Sequence, residues 1–430
     1  MLNRRSSPTR RDPSHVRHRH SGAPARSVGR ARRWLIPVCL ALLVALLAVV
    51  AGLQWTRPIP LPIFRPAVTT SVHLPGKSPS LPWPTTGSAA LTMEGVGSLG
   101  QVGSTRPVPI ASITKVMTAY VVLQDHPLGP GAAGPAIPVT ADTIAAYQTG
   151  LASQQSVVKV AAGESLTEIE ALEGLLIPSG NDIATLLAEW DAGSTTAFVA
   201  KMNSTAESLG LTSTHFADVS GLDPGSTSTA ADLVRLGQAA MGEPAFLQIA
   251  SMGEVTLPVA GLLYNFDYDL GHDGIVGIKT GTDAAAGGCF LFEAQQMVDS
   301  KKVTIVGAVL GQRTSSPITA VLHVAEALAT AAFAAMTTVP VVAADQLVGR
   351  IVTPWGATVA VKAPRSPSVV GWPGFSMPAR LSVGRLPSVV TRGTRIGVLD
   401  VDLGGRNIDV VLRASGPLSG PSVIWRLTRA

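Results

Sequence analysis

The chain has 430 residues, 46 % hydrophobic and 14 % charged, with a formal net charge of +5 and two cysteines. That excludes a disordered polymer and a disulfide-stapled miniprotein, and it allows a sizeable core spread over two or three domains. The charge is uneven: residues 1–33 carry ten Arg against one acid, Asp12, and the remainder is mildly acidic.

Residues 34–56, WLIPVCLALLVALLAVVAGLQWT, run uncharged from Arg33 to Arg57, with Trp34 and Trp55 near the ends. About 20 apolar residues cross a bilayer as a helix. The spacing predicts one transmembrane helix over 34–56. The arginines before it place residues 1–33 in the cytoplasm as a basic tail, and residues from 57 onward outside. A cell-membrane, single-pass protein with its later residues extracytoplasmic is expected. No reading motif accompanies the arginines, so no nucleic-acid partner is expected. A cleaved signal peptide is the competing reading, because Val49–Val50–Ala51 resembles a cleavage site. The apolar run exceeds the usual ~7–15 residues of such peptides, which favours an uncleaved anchor.

Residues 57–86 hold eight prolines and read as a stiff, extended extracytoplasmic linker. Residues 87–339 mix helical stretches, such as SITKVMTAYVVL and LTEIEALEGLLI, with the strand-like runs GGCFLF and VTIVGAVLG; HVAEALATAAFAAM reads as the last helix. Residues 340–430 are short β-rich runs, GRIVT, ATVAVKA, TRIGVLDVDL, NIDVVLRA and SVIWRLTR, and predict a small all-β domain. Cys39 lies in the span and Cys289 in a core strand, so no disulfide is expected.

Candidate chemistry begins in ASITKVMTAY. Ser112 and Lys115 stand three apart on a helix, hence on one face. A serine hydroxyl needs a base. An apolar helix makes a lysine into one, because burial disfavours the ammonium and a second cation nearby does the same. The pattern alone is weak: Ser156 and Lys159 repeat it, but in the β-branched run SVVKV, where i and i+3 face opposite sides of a strand. Two later stretches add to it. Ser179–Gly180–Asn181 follows an apolar helix and opens the next. Lys279–Thr280–Gly281–Thr282 lies on or near a strand, with Gly281 permitting close backbone approach.

Together, in this order, S-x-x-K, S-x-N and K-T-G resemble the motif set of penicillin-recognising serine enzymes. From about 87 to 336 the chain resembles the low-molecular-mass penicillin-binding proteins that act as D-alanyl-D-alanine carboxypeptidases. LEGLLIPSGNDIATLLAEW, LGLTSTHFADVSGLDPGSTSTAADLVRLGQAAM and GIVGIKTGTDAAAGGC extend the match. Residues 340–430 share only their placement with that family's β domain. The N-terminal span departs from the C-terminal amphipathic helix that many members use.

The resemblance implies an α/β (α+β) penicillin-binding-protein/β-lactamase-like transpeptidase fold, an antiparallel sheet with a helical subdomain and the site between them. It implies Ser112 as nucleophile and Lys115 as base, with Ser179 relaying a proton and Asn181 binding substrate and fixing Lys115. Lys279, Thr280, Gly281 and Thr282 would bind substrate, Lys279 holding the terminal carboxylate and Thr282 lending an oxyanion N–H. The implied substrate is a peptidoglycan stem peptide ending in D-Ala-D-Ala, with β-lactams as covalent inhibitors and no metal or cofactor. A triad built from His215, Asp218, His272 and Asp273 is set aside, since the three motifs explain the serine without a histidine. A β-lactamase would carry a glutamate in E-x-x-L-N between the second and third motifs; Glu254–Val–Thr–Leu257 continues to Pro258 instead. A non-catalytic wall-binding scaffold and an endopeptidase or transpeptidase are the remaining rivals.

Overall fold

A computed structural model describes residues 31–429 except 68–70, 75, 344–345, 387–389 and 405, with residues 31–33 described by backbone alone. The basic tail over 1–30 lies outside the described residues. The chain divides into two units; one holds residues 31–61, 353–357 and 419–429, the other 62–352 and 358–418.

The first unit is built on α1 (Ala31–Thr56), an apolar helix long enough to cross a membrane. Its large side chains are exposed around the whole circumference, Leu42 and Leu46 at 65 % and 60 % among them. A helix apolar all round needs an apolar surrounding. The stretch SVIWRLTR, read from sequence as a β run, is instead the helix Val423–Thr428. Ser422 caps it by accepting from the Trp425 N–H at 3.1 Å. Arg429 holds the following turn by donating to the carbonyls of Gln54, Arg57 and Pro58. Local capping and these tertiary bonds outweigh β propensity.

The second unit opens with two short strands, β1 (Ile63–Pro66) and β2 (Ser71–His73), inside the proline-rich segment expected to be a spacer. Next come β3 (Ser88–Met93) and β4 (Gly97–Val102). A one-turn 3₁₀ segment at Ala111–Ile113 leads into α2 (Thr114–Asp125). Then come α3 (Glu168–Leu176), α4 (Asn181–Ala192), β5 (Ile275–Asp283), β6 (Gly287–Val298), β7 (Lys301–Gln312) and α5 (Pro317–Ala335). The helix expected from His323 therefore starts six residues earlier, at Pro317, where proline suits a first helical turn. Residues 156–160, expected as a strand, belong to no strand.

The strands form an antiparallel five-stranded sheet, β5-β6-β7-β3-β4. Period-two alternation sorts its side chains to two cores. Cys289 and Leu291 of β6 join the helical core with Val116, Leu172 and Leu187, while Phe290 and Phe292 face α5 and its Leu328 and Phe333. Each buried Phe or Leu contributes about 1.5–3 kcal/mol. Gly307 of β7 is required by packing: a Cβ there would lie 2.4 Å from the Phe292 ring. The helix α3 is set by a capping box, in which Thr167 accepts from Glu170 N–H and Glu170 Oε2 accepts from Thr167 N–H at 2.7 Å.

Five later strands, β8 (Leu347–Val352), β9 (Thr358–Lys362), β10 (Ser376–Val383), β11 (Arg395–Leu403) and β12 (Arg406–Ala414), make a second large sheet with β1 and β2. Its order is β1-β8-β9-β12-β11-β10-β2. The two strands from the proline-rich segment are thus its edges. That is where proline is tolerated, since an edge leaves N–H groups unused. Two short stretches of the segment complete the β sheet instead of standing free.

Candidate active site

The structure brings the three sequence motifs to one end of α2. Lys115 is fully buried, and its Nζ lies 2.9 Å from Ser112 Oγ, 2.6 Å from Asn181 Oδ1 and 2.9 Å from the Ser220 carbonyl. Asn181 is oriented in turn, because its Nδ2 donates to Gln155 Oε1 at 3.3 Å and its backbone N–H to the Ser156 carbonyl at 2.9 Å. Burial drives the Lys115 pKa well below the usual lysine value, and the Lys279 charge lowers it further; Asp218 and Asp182 oppose this. A neutral amine has two N–H donors and one lone pair. Asn181 Oδ1 and Ser220 O accept both donors, so the lone pair faces the Ser112 hydroxyl and takes its hydrogen bond.

Ser112 sits in the 3₁₀ turn before α2, at the helix N-terminal end where backbone N–H groups lack helical partners. The turn is strained: Ala111 has φ +46°. Two glycines press against it from opposite elements. A Cβ on Gly281 of β5 would stand 2.9 Å from Ser112 N, and one on Gly221 would stand 1.9 Å from the Ala111 carbonyl oxygen. Only a bare backbone can approach so closely.

Ser179 lies outside α4, two residues before Asn181, in the left-handed region at φ +63°. It is buried, and its hydroxyl is without a hydrogen-bond partner among the described residues. A buried unpaired hydroxyl costs free energy, and non-glycine strain gathers at functional sites. Lys279 and Thr280 are buried on β5, and Lys279 Nζ donates to the Thr280 carbonyl at 3.1 Å. Burial lowers the Lys279 pKa to about 8, against an upward pull from Asp267. Thr282, next on the strand, is exposed. Ser112, Lys115 and Asn181 are therefore in direct contact, Gly281 meets Ser112 through the backbone, and Lys279 is felt at Lys115 as charge.

Sequence reasoning passed over the supports. Asp218, set aside there as structural, accepts from the N–H groups of Ser220, Gly221 and Leu222 and the hydroxyls of Ser220 and Ser226. This nest fixes the turn whose Ser220 carbonyl meets Lys115. Thr118 Oγ1 donates to Val219 O at 2.7 Å and pins the same turn to α2. Asp182 holds the 156–160 segment through Val158 N–H, at 3.0 and 3.3 Å from its two oxygens, and burial raises its pKa to about 6. D-V-S-G-L is legible as a turn, because Asp and Ser fold back on nearby backbone. Nothing in the letters says that its carbonyl meets a lysine 105 residues away.

Residues 98–314 match the family model described as D-alanyl-D-alanine carboxypeptidase. The chain is 38 % identical over 185 residues to D-alanyl-D-alanine carboxypeptidase DacB2 of Mycobacterium tuberculosis, covering 41 % of this chain and 59 % of that one. The match covers 50 % and 52 % of two further relatives, so the chain spans about half the length of the curated relatives it matches. Among solved structures, the Streptomyces K15 DD-transpeptidase superposes with a TM-score of 0.52 at 26 % identity, covering 59 % of this chain and 99 % of that one. The D-alanyl-D-alanine carboxypeptidase DacD of Francisella tularensis, at 22 % identity and TM-score 0.57, covers 79 % of this chain and 95 % of that one and shares the fold.

Proposed function

The chain belongs to the D-alanyl-D-alanine carboxypeptidase family, and on that basis we propose that it is a serine-type D-Ala-D-Ala carboxypeptidase. It removes the terminal D-alanine of peptidoglycan stem peptides through an acyl-enzyme on Ser112. The observation that carries this reading is the buried Lys115 Nζ, 2.9 Å from Ser112 Oγ, with its other two contacts taken by fixed acceptors.

Ser112 Oγ attacks the carbonyl of the penultimate D-Ala while its proton passes to Lys115. The developing oxyanion is met by the N–H groups of Ser112 and Thr282, brought together because Gly281 has no Cβ. Losing one such donor costs about 100–1,000-fold in rate. Lys279, with the Thr280 hydroxyl, holds the substrate carboxylate. Its charge also keeps Lys115 neutral, so one residue serves binding and base strength. Ser179 relays the proton from Lys115 to the departing D-alanine amine, a role supported by its unpartnered hydroxyl, and Asn181 holds Lys115 while binding the substrate amide. Water then hydrolyses the acyl-enzyme. β-Lactams acylate the same serine and remain there.

The chain divides into the tail 1–33, the span 34–56, the linker 57–86, the catalytic domain 87–339 and the β-rich region 340–430, with linker strands completing the last. The span anchors the enzyme in the cell membrane as a single pass with the catalytic domain facing the wall. The apolar helix and the arginines before it support this orientation. The test is D-alanine release from a peptide ending in L-Lys-D-Ala-D-Ala. Wild type releases D-alanine and Ser112→Ala does not. Equal release by both would remove Ser112 from the reaction, and peptide dimer formed alongside the released D-alanine would favour transpeptidation.

A further inference from the structure

The second sheet carries a charge pattern that the proposed reaction does not use. Across three neighbouring strands, Lys362 of β9 stands opposite Arg413 of β12, and Arg413 opposite Arg395 of β11. Opposed residues on antiparallel strands share a face with Cα atoms about 4.5–5.5 Å apart, and like charges placed so repel. Arg392 enters from the turn before β11, and together with Lys362, Arg413 and Ser415 it lines a cavity of about 580 Å³.

Arg392, Arg395 and Arg413 are exposed, and none forms an ion pair among the described residues. Lys362 is half-buried and engaged in an interaction of its own, so the positive charge the cavity offers a ligand is that of Arg392 and Arg413, with Arg395 opposite Arg413 on the sheet but outside the lining. Arg413 Nη1 donates to the Gly393 carbonyl at 2.8 Å, which orients the guanidinium and leaves its other N–H groups to the cavity. The acids of these strands, Asp400, Asp402 and Asp409, lie toward the other end of the pair, and Asp409, opposite Asp400, is four residues before Arg413 on β12. At about 3.3 Å per residue that is about 13 Å away.

We propose that this cleft is an anion-binding site for a ligand carrying clustered phosphate groups. A planar guanidinium meets phosphate oxygens with two parallel hydrogen bonds. Several guanidiniums on one face match a chain of phosphates, whereas a single carboxylate would offset only one of them. The cavity volume falls within the range of ligand sites. None of its lining residues belongs to the three motifs, so the proposal stands independently of the proposed reaction.

The test is calorimetric titration of the full chain in detergent micelles with tripolyphosphate, at about 50 and 200 mM salt. Wild type binds, and more weakly at the higher salt. Arg392→Gln/Arg413→Gln binds at least about tenfold more weakly, the loss of one or two charge-assisted contacts. Its benzylpenicillin adduct, formed at Ser112, remains at wild-type level and reports that the fold is intact. The single variant Arg395→Gln, at an exposed position, weakens binding to a smaller extent. Absence of tripolyphosphate binding, or equal binding by wild type and the double variant, overturns the proposal. Repeating the titration in phosphatidylcholine and phosphatidylglycerol nanodiscs distinguishes the source of phosphate. Weaker binding in the anionic discs supports the site with lipid headgroups as its ligand; equal binding supports it with a ligand outside the membrane.

Discussion

Asp218→Asn tests whether the base is held by its surroundings or only by its own helix. The carboxylate takes bonds from three backbone N–H groups and two hydroxyls; Oδ2 alone is met by Ser220 N, Ser220 Oγ, Gly221 N and Leu222 N at 2.7–3.2 Å. An amide keeps one acceptor oxygen and turns an NH₂ toward donors. With its oxygen in the Oδ2 position the amide leaves the Ser226 hydroxyl without its acceptor; flipped, it leaves Ser220 N–H, the Ser220 hydroxyl and Leu222 N–H without theirs; either way the remaining bonds lose the charge that strengthened them. Hydrogen bonds to a charged group are worth about 1.5–3 kcal/mol each, so the stability loss is about 2–4 kcal/mol after relaxation. The turn relaxes, and the Ser220 carbonyl leaves Lys115 Nζ. Acylation by a fluorescent penicillin should slow about tenfold or more, at about 1.4 kcal/mol per factor of ten. The pH profile supplies a readout that simple destabilisation does not move. Acylation needs neutral Lys115 and therefore rises as pH passes upward through its pKa. The Asp218 charge raises that pKa. Its removal lowers the pKa and moves the acid limb to lower pH. Wild-type rates with an unmoved limb would refute the reasoning.

Lys279→Gln should move the same limb the opposite way, to higher pH, because the Lys279 charge lowers the Lys115 pKa; the acylation pH profile reads it. Gly281→Ala places a Cβ 2.9 Å from Ser112 N and should cut acylation about 100-fold or more by spoiling an oxyanion donor, with circular dichroism unchanged. Burial raises the Asp267 pKa from 3.8 to about 7. The protonated form is therefore favoured in the folded state. The contribution to stability is fully present below pH 3.8 and is lost as pH rises through about 7. Asp267→Asn should lose less stability than wild type across that window, the contribution of Asp182 remaining in both, and urea unfolding of both proteins at pH 4 and 8 measures the difference.

The letters carried the site further than they carried its support. Ser112 and Lys115 were legible because a polar pair on an apolar helix needs a chemical reason, and Asn181 and Lys279 because motif order is informative when single motifs are not. Ala111, Gly221 and Asp218 were not, because their contributions depend on backbone angles and on contacts across more than a hundred residues. In the fold, GGCFLF is readable as a buried strand from its apolar run, and VTIVGAVLG from its β-branched residues. The 57–86 segment was misread as a free spacer because proline suits a linker and a sheet edge equally well, and only the partner strands decide between them. The helix Val423–Thr428 was missed because Val, Ile and Trp favour strands locally, whereas its capping serine and the Arg429 bonds to residues 54–58 act through the tertiary fold.

The most direct test of the central claim is the intact mass of the full chain after brief exposure to benzylpenicillin, with peptide mapping, beside Ser112→Ala. One persistent penicilloyl adduct is expected on the peptide containing Ser112 in wild type, and none in the variant. An adduct on another serine, or an equal adduct in both proteins, would contradict the assignment of Ser112 as nucleophile, as would intact drug with no adduct.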